Sequence, residues 1–250
     1  MGMRAYRADL HVHTLLSACA EVEMIPPLIV AEALYKGLDV IAITDHNATD
    51  NALAVRAAAY GTDLTVLLGM ELQTREEVDL LCIFADPATL AVWQGLVDGW
   101  IPPLENDPER FGPQYIVDAE GNFVDEELRL LQGPTTVGLD EAARRVRELG
   151  GLAIPAHIDR TSNGLMAMLG LWPPELEADA AEVSANLRPS QARQQFRYLP
   201  PSLPLISSSD AHWLAWIGTA MTIFELSAPP TLQELRRALQ GIGGRRVYVP

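Results

Sequence analysis

The sequence predicts an α/β fold in which strand–helix units surround a parallel sheet. Short apolar runs alternate with helical segments along most of the 250 residues, which is the pattern of βα units. All five histidines follow apolar runs that we interpret as buried strands, so each is expected at or just past a strand's carboxyl end. In a barrel of parallel strands, catalytic groups collect at that rim. A chain of this length could form one barrel or two small domains, and the histidine pattern favours the barrel.

Helix boundaries follow from proline and glycine. Pro26 and Pro27 open the first predicted helix and Gly37 follows its end, while Gly61 and Gly150 end two later helices. The continuous apolar runs between them are typical of strands buried on both faces. The predicted helices are 25–36, 52–60, 139–149 and 232–239. The predicted strands are 5–10, 38–44, 64–70, 78–84, 152–156, 180–183, 205–208, 221–224 and 246–249.

Residues 86–136 interrupt this alternation. They are rich in tryptophan and proline and contain a predicted hairpin, with strands at 114–118 and 122–124. We expect a single domain over 1–250, with 86–136 inserted between two barrel strands. Two interpretations remain open, a lid over the substrate and an elaboration that only adds packing.

Composition limits the partners and the setting. The formal net charge is −15, which argues against binding long nucleic acid, because that affinity comes mainly from Lys and Arg on phosphate. A small phosphorylated substrate is compatible, since bound metal ions reverse the local potential. The N-terminus lacks the features of a signal peptide, no apolar run reaches membrane-spanning length, and only two cysteines are present. We expect a cytoplasmic protein without membrane contact; the sequence does not determine the number of subunits.

The spacing of the histidines indicates metal binding. His11 and His13 occupy alternate positions on a strand, so both imidazoles face the same side and can reach one ion. Asp210 and His212 repeat this spacing, and Glu71 supplies a carboxylate at another strand end. Mixed sets of imidazole and carboxylate suit Zn, Mn or Fe. Each pair alone is a weak signal, whereas their joint occurrence predicts a metal-dependent hydrolase.

Five short motifs occur in a characteristic order: DLHVHT (9–14), TDHN (44–47), GME (69–71), PAH (155–157) and SSDAH (208–212). In this order they resemble the motifs of the PHP (polymerase and histidinol phosphatase) domain family. The resemblance covers nearly the whole chain. It implies a distorted (β/α)7, TIM-like barrel, two or three divalent metal ions at the C-terminal rim, and phosphoester hydrolysis. It assigns to one ion His11, His13, Glu71 and Asp210; to a second Glu71 and His157; and to a third His46 and His212.

Two positions depart from the family's commonest pattern. Cys19 stands where many members have a histidine six residues after the H-x-H pair, and Asp79 stands where many have a histidine after the bridging glutamate. Both can ligate a metal; the alternatives are a small buried residue and a solvated acid. We expect Asp9 and Asp45 to orient imidazoles through the ring nitrogen that does not face the metal, and Asp45 could also ligate directly.

The predicted reaction is hydrolysis of a small phosphomonoester by metal-bound hydroxide, with a nucleotide, a nucleoside bisphosphate or histidinol phosphate as substrate. Arg160 is the first candidate for a phosphate clamp, because it lies three residues past His157, and Arg188 and Arg197 are weaker candidates. Asp210 or His212 could protonate the leaving group. Two alternatives remain open, an exonuclease that acts on short oligonucleotides and a non-catalytic metal-binding or ligand-sensing domain.

Overall fold

The computed structural model describes residues 2–250, in which strands and helices alternate along most of the chain. The strands are β1 (Arg4–Val12), β2 (Val40–Ile43), β3 (Thr65–Gln73), β4 (Asp79–Phe84), β5 (Tyr115–Val117), β6 (Phe123–Glu126), β7 (Leu152–Pro155), β8 (Ala181–Val183), β9 (Leu205–Ser207), β10 (Thr222–Leu226) and β11 (Arg246–Tyr248). The helices are α1 (Pro26–Tyr35), α2 (Asp50–Ala58), α3 (Pro87–Asp98), α4 (Pro108–Phe111), α5 (Leu139–Glu148), α6 (Leu165–Leu169), α7 (Pro189–Gln195) and α8 (Leu232–Leu239).

Seven strands form one curled half-barrel sheet, in the order β11-β10-β1-β2-β3-β4-β7. The predicted α/β barrel-like fold is therefore confirmed, but the expectation of a parallel sheet was wrong for part of it. Strands β1, β2 and β3 are parallel, whereas β4 is antiparallel to β3. Only residues 74–78 join β3 to β4, and so short a connection cannot carry the crossover that a parallel pair requires. Strands β10 and β11 also run antiparallel to their neighbours.

The parallel pair β8–β9 lies between β7 and β1. The backbone N–H of Ile158, just past β7, donates to the carbonyl of Glu182 in β8 at 2.9 Å. On the other side, the N–H of Ala211 donates to His11 O at 3.2 Å, and the N–H of His13 donates to Ala211 O at 3.0 Å. These bonds bring the carboxyl ends of β1, β2, β3, β7 and β9 to one rim, together with the first residue of β4.

Side chains of the sheet alternate between two apolar clusters. In β2, Val40 and Ala42 belong to the cluster inside the curled sheet, whereas Ile41 and Ile43 pack in the cluster under the surrounding helices. This alternation is the period of two that a strand imposes. Leu235 of α8 joins the inner cluster, and Arg236 donates to the carbonyls of Gly150 and Gly151 just before β7, so α8 lies at the end of the barrel opposite the rim. The rim is therefore the end left open for a ligand.

Residues 86–136 form α3, α4 and the β5–β6 hairpin. The hairpin was predicted; α3 was not, although Asp86 and Pro87 are a standard start signal, and the Asp86 carboxylate accepts from the N–H of Thr89 at 2.9 Å. The hairpin is fastened to α2, because the Asn51 side chain bonds the backbone of both Tyr115 and Val117. Its tip rests on the side chain before α1, since a Cβ on Gly121 would lie 2.9 Å from Ile25 Cδ1.

Within residues 2–250, every helix falls short of the length and apolar character that crossing a bilayer requires.

Gly151, in the turn between α5 and β7, is packed so closely that adding one methyl group there should change the free energy of unfolding. A Cβ on Gly151 would lie 2.6 Å from Cε1 of Phe84, a ring that is fully buried, and 2.9 Å from Ile83 O. We expect Gly151→Ala to lower the free energy of unfolding by about 1–3 kcal/mol, as overpacking does. Gly95 is exposed in α3, and a Cβ added there would have no atom within 4 Å. It is the control: Gly95→Ala should raise the free energy of unfolding by about 0.5–1 kcal/mol. Urea unfolding measures both, and equal effects would contradict the packing described.

Candidate metal centre

A β-bulge aims the two N-terminal histidines at the rim. Asp9 of β1 pairs with Ile41 of β2, and Val12 pairs with Ile43, so β1 advances three residues where β2 advances two. The extra residue shifts the alternation, so Leu10 stays in the inner cluster while His11, the next residue, also faces inward. Bulges commonly redirect side chains beside active sites. The result is that the Nε2 atoms of His11 and His13 approach to 3.1 Å.

Glu71, near the end of β3, lies at the centre of the histidine cluster and is 1% exposed. Its Oε1 lies 3.2 Å from Nε2 of His11 and 2.9 Å from Nε2 of His157. Its Oε2 lies 3.3 Å from Nε2 of His13 and 3.1 Å from Nδ1 of His46. One carboxylate thus joins imidazoles from three separate segments of the chain.

The donor atoms fall into three groups, in each of which they lie within 4.8 Å of one another. The groups are His11, His13, Glu71 and Asp210; Glu71, Asp79 and His157; and His13, His46 and His212. Within them Asp79 Oδ1, His157 Nδ1 and Asp210 Oδ1 are buried without a hydrogen-bond partner among the described residues. Buried polar atoms are normally paired, and imidazole with carboxylate oxygen is the donor set of Zn, Mn and Fe. The cluster therefore fits divalent metal ions.

Hydrogen bonds turn two imidazoles so that Nε2 is free for a metal. Ser17 Oγ donates to the Asp45 carboxylate at 2.7 Å, so it must accept from the Nδ1–H of His13, which is 2.9 Å away. The Glu182 carboxylate accepts from the Nδ1–H of His11 at 3.0 Å. A proton fixed on Nδ1 leaves a lone pair on Nε2, the arrangement found for histidines that bind metals.

Two residues of the cluster have unusual backbone conformations. His157 has a φ of 26° and Asp210 a φ of 51°, both in the left-handed region that side chains with a Cβ rarely adopt. The backbone around His157 is held by its N–H, which donates to Glu182 Oε2 at 3.0 Å, and by its carbonyl, which accepts from the N–H of Arg160 at 2.9 Å. Strain of this kind persists where surrounding contacts require it, and it concentrates at functional sites.

Burial and charge act against each other in the carboxylates. Burial would raise the pKa of Glu71, but the imidazoles of His11 and His46 hold that pKa well below its usual range. The pKa of Asp210 is likewise well below its usual range, because His11 and His13 outweigh burial. In contrast, burial and then the charge of Glu71 raise the pKa of Asp79 from 3.8 to about 7. A cation between Glu71 and Asp79 would keep both carboxylates ionised.

The predicted ligand Cys19 lies at the solvent edge of the cluster. It is exposed, and its sulfur is not part of the three groups of donor atoms. Partial desolvation of the thiol raises its pKa, but hydrogen bonds with His212 and His46 outweigh this effect and lower the pKa from 9.0 to about 5. The thiol is thus close to the His46–His212 group and has the ionised form that metals bind.

Two predicted roles need correction. The Asp45 carboxylate accepts from Thr14 N, Thr14 Oγ1 and Ser17 Oγ at 2.7–2.8 Å, and it joins none of the three groups. It therefore holds the turn after β1, and acts on His13 only through Ser17. The Asp9 carboxylate accepts from Ser209 N and Oγ and from Gly218 N, at 2.6–3.0 Å, and orients no imidazole. Both acids are occupied by backbone and hydroxyl donors that sequence spacing does not reveal.

A cavity of about 600 Å³ opens onto the cluster. Arg160 lines it and is the only Arg or Lys that does so within residues 2–250; its Nη2 lies 2.5 Å from Asp210 Oδ2. Arg188 and Arg197 do not line this cavity, contrary to the expectation that they bind substrate. Arg188 precedes α7 and lines a separate cavity with Leu205 at the start of β9 and Tyr248, away from the rim. The β5–β6 hairpin, for which a lid and a packing role were both left open, does not line the cavity either; residues 159–163 do.

Sequence reasoning missed Ser17 and Glu182. The signal for Glu182 was present, because it is an acid inside the apolar run Ala180–Val183. A buried carboxylate in a strand needs a partner, and here the partners are His11 and the backbone N–H of His157. Ser17 gave no signal, since serine is common in turns.

Comparison with known proteins identifies the family. The profile of the PHP domain matches residues 9–145, more than half of the chain. The chain belongs to the PHP domain family. The family match and the donor clusters make this PHP protein a metal-dependent hydrolase. No curated protein sequence matches the chain.

Solved structures share the fold at low sequence identity. The lesion-specific endonuclease Q of Pyrococcus furiosus is 20% identical, with a TM-score of 0.72 over 98% of this chain and 58% of that one. A complex of endonuclease Q with a 27-mer duplex bearing an abasic lesion is 19% identical, with a TM-score of 0.70 over 97% and 58%. A Bifidobacterium adolescentis protein described as a candidate metal-dependent phosphoesterase is 20% identical, with a TM-score of 0.53 over 82% and 87%. The chain thus spans 58% of the endonuclease's length.

The thiol of Cys19 allows a direct test of its place in the cluster. Because its pKa is about 5, metal-free protein should be alkylated by iodoacetamide at a rate that stays nearly constant from about pH 6 to 8, where the thiolate already predominates. Added Zn or Mn should slow this reaction if the sulfur binds the ion. Cys82, which is buried and whose pKa burial raises well above 9.0, should stay unmodified and serves as the internal control. Equal rates with and without metal would remove Cys19 from the ligand set.

Proposed function

We propose that this PHP protein hydrolyses a small phosphomonoester with two or three divalent ions, Zn, Mn or Fe, held by the three donor groups. The observation that supports this most is that six of the eight donor residues line one open cavity of about 600 Å³ together with Arg160, its only arginine within residues 2–250. This volume is in the range of pockets for small ligands, about 300–1,000 Å³. One arginine suits one phosphoryl group, whereas a nucleic-acid backbone requires many cations.

Bound ions of this kind act as Lewis acids and activate water for attack on phosphorus. The residues of the chain supply the rest. Arg160 is 45% exposed and uses one nitrogen on Asp210, so the remaining N–H groups of its planar fork can hold phosphoryl oxygens. Water adds to phosphorus, the ester P–O bond breaks, and the leaving oxygen takes up a proton. In a centre of two ions held by the other two donor groups, His212, which lines the cavity, would supply that proton, because Asp210 is ionised and paired with Arg160.

A second candidate is cleavage of damaged DNA, as the endonuclease Q likeness suggests. Its support is the TM-score of 0.72 over nearly the whole chain. The net charge of −15 weighs against it, and so does the cavity lining, in which Arg160 is the single cationic side chain among residues 2–250. Short oligonucleotides are compatible with the cavity. A non-catalytic metal-binding domain would hydrolyse neither phosphomonoesters nor DNA.

Arg160 provides the test of this proposal. With Mn added, the protein should release phosphate from p-nitrophenyl phosphate and from natural phosphomonoesters. Arg160→Ala should lower kcat/KM by roughly 100-fold, because donors to the developing charge act mainly in the transition state. Arg160→Lys should recover part of the loss, since a point charge lacks the fork. Metal content, measured in parallel, should stay unchanged.

Arg188→Ala is the matched control, because Arg188 lines a different cavity, and it should leave kcat/KM within about twofold. Absence of phosphate release from every monoester by the metal-loaded protein would contradict the proposed reaction. Cleavage of an abasic duplex together with inert monoesters would favour the endonuclease candidate. A fully active Arg160→Ala variant would remove the clamp and leave the reaction standing.

A further inference from the structure

Two tryptophans stand at the rim beside the metal centre. Trp213 is 37% exposed and Trp216 is 47% exposed, although tryptophan is usually well buried. Their ring centroids are 4.2 Å apart, and the ring of Trp213 lies 6.2 Å from that of His212. Aromatic surface this large and this exposed, next to a catalytic cavity, suggests contact with a ligand.

Trp216 forms part of the wall of a second cavity, of about 380 Å³. This cavity shares His157, Arg160 and Asp210 with the larger metal cavity. A ligand whose phosphoryl group lies at Arg160 can therefore extend its remaining part along the second cavity toward Trp216. The position fits the leaving group of the substrate.

The position of Trp216 is set by the backbone around it. The N–H and the hydroxyl of Thr219 both donate to Trp216 O, at 2.9 and 2.7 Å. The N–H of Gly218 donates to the buried Asp9 carboxylate at 2.8 Å, and the indole N–H of Trp213 donates to the Glu21 carboxylate. A wall held in this way loses little conformational freedom when a flat ligand stacks on it.

The same cavity offers polar groups beside the indole. Asn186 lines both cavities and is exposed, so its side-chain amide is accessible to a ligand there. An amide donates and accepts, which matches the mixed donors and acceptors along the edge of a nucleobase. A sugar phosphate without a base would leave the face of Trp216 uncovered.

We propose that Trp216 and Asn186 form a subsite for a nucleobase, so that the substrate class is the nucleoside monophosphates. The subsite rests on the proposed phosphomonoesterase function, which it narrows. The base stacks on Trp216, Asn186 bonds its edge, and the phosphoryl group reaches Arg160 and the metal centre.

Paired substrates that differ only in the base provide the test. With AMP, Trp216→Ala should raise KM about tenfold or more, since stacking on an aromatic side chain contributes ~1–3 kcal/mol per base. With ribose 5-phosphate, KM should change less than about twofold. Trp216→Phe should retain most of the AMP affinity. Tyr60→Ala removes an aromatic side chain that is 93% exposed and lines neither cavity; it is the control and should change neither KM.

Adenosine has a base but no phosphate, so its binding tests the subsite independently of the reaction. Binding to the metal-loaded protein is measured by the quenching of tryptophan fluorescence. Quenching by adenosine that Trp216→Ala abolishes, without turnover of AMP, would support the subsite and contradict the phosphomonoesterase function. Turnover of AMP and ribose 5-phosphate that Trp216→Ala affects equally would overturn the subsite and leave the function intact. A wild-type protein that does not bind adenosine and does not turn over AMP would likewise overturn the subsite.

Discussion

The structure depends on one buried carboxylate, Glu71, and on the positive charge that must accompany it. An ionised carboxylate removed from water is costly unless it is paired, and Glu71 lies within 3.3 Å of nitrogens from His11, His13, His46 and His157. These imidazoles come from three strand ends of the barrel. Bringing them together requires the rim to assemble around one point, so the folding of the barrel and the formation of the metal centre are coupled.

The backbone meets this demand with local irregularities. The bulge in β1 turns His11 inward directly after Leu10, and left-handed conformations at His157 and Asp210 bring their side chains over the rim. The Glu182 carboxylate holds two of these positions, because it accepts from the Nδ1–H of His11 and from the N–H of His157. The carboxylates and hydroxyls behind the cluster thus keep the ligands oriented toward the metal centre.

Much of this arrangement follows from local patterns, because apolar runs reveal strands and the five histidines follow them. Alternation within a strand also accounts for the different surroundings of Val40 and Ile41. Local patterns do not reveal contacts between distant segments. Glu182 meets His11 across 171 positions, Asp9 is occupied by Ser209 and Gly218, and the short turn between β3 and β4 reverses a strand that periodicity alone would leave parallel.

The metal stoichiometry of the wild-type protein and Glu71→Gln tests the central claim most directly. After removal of metal with a chelator and reconstitution with Mn or Zn, elemental analysis of the wild-type protein should give two or more ions per chain, as two-metal hydrolase sites hold. Glu71→Gln keeps the shape but loses the charge that joins the groups, and should lose at least one ion, while Glu141→Gln, on the exposed face of α5, should lose none. A wild-type protein that binds less than one ion, or a Glu71→Gln variant with full occupancy, would contradict this account.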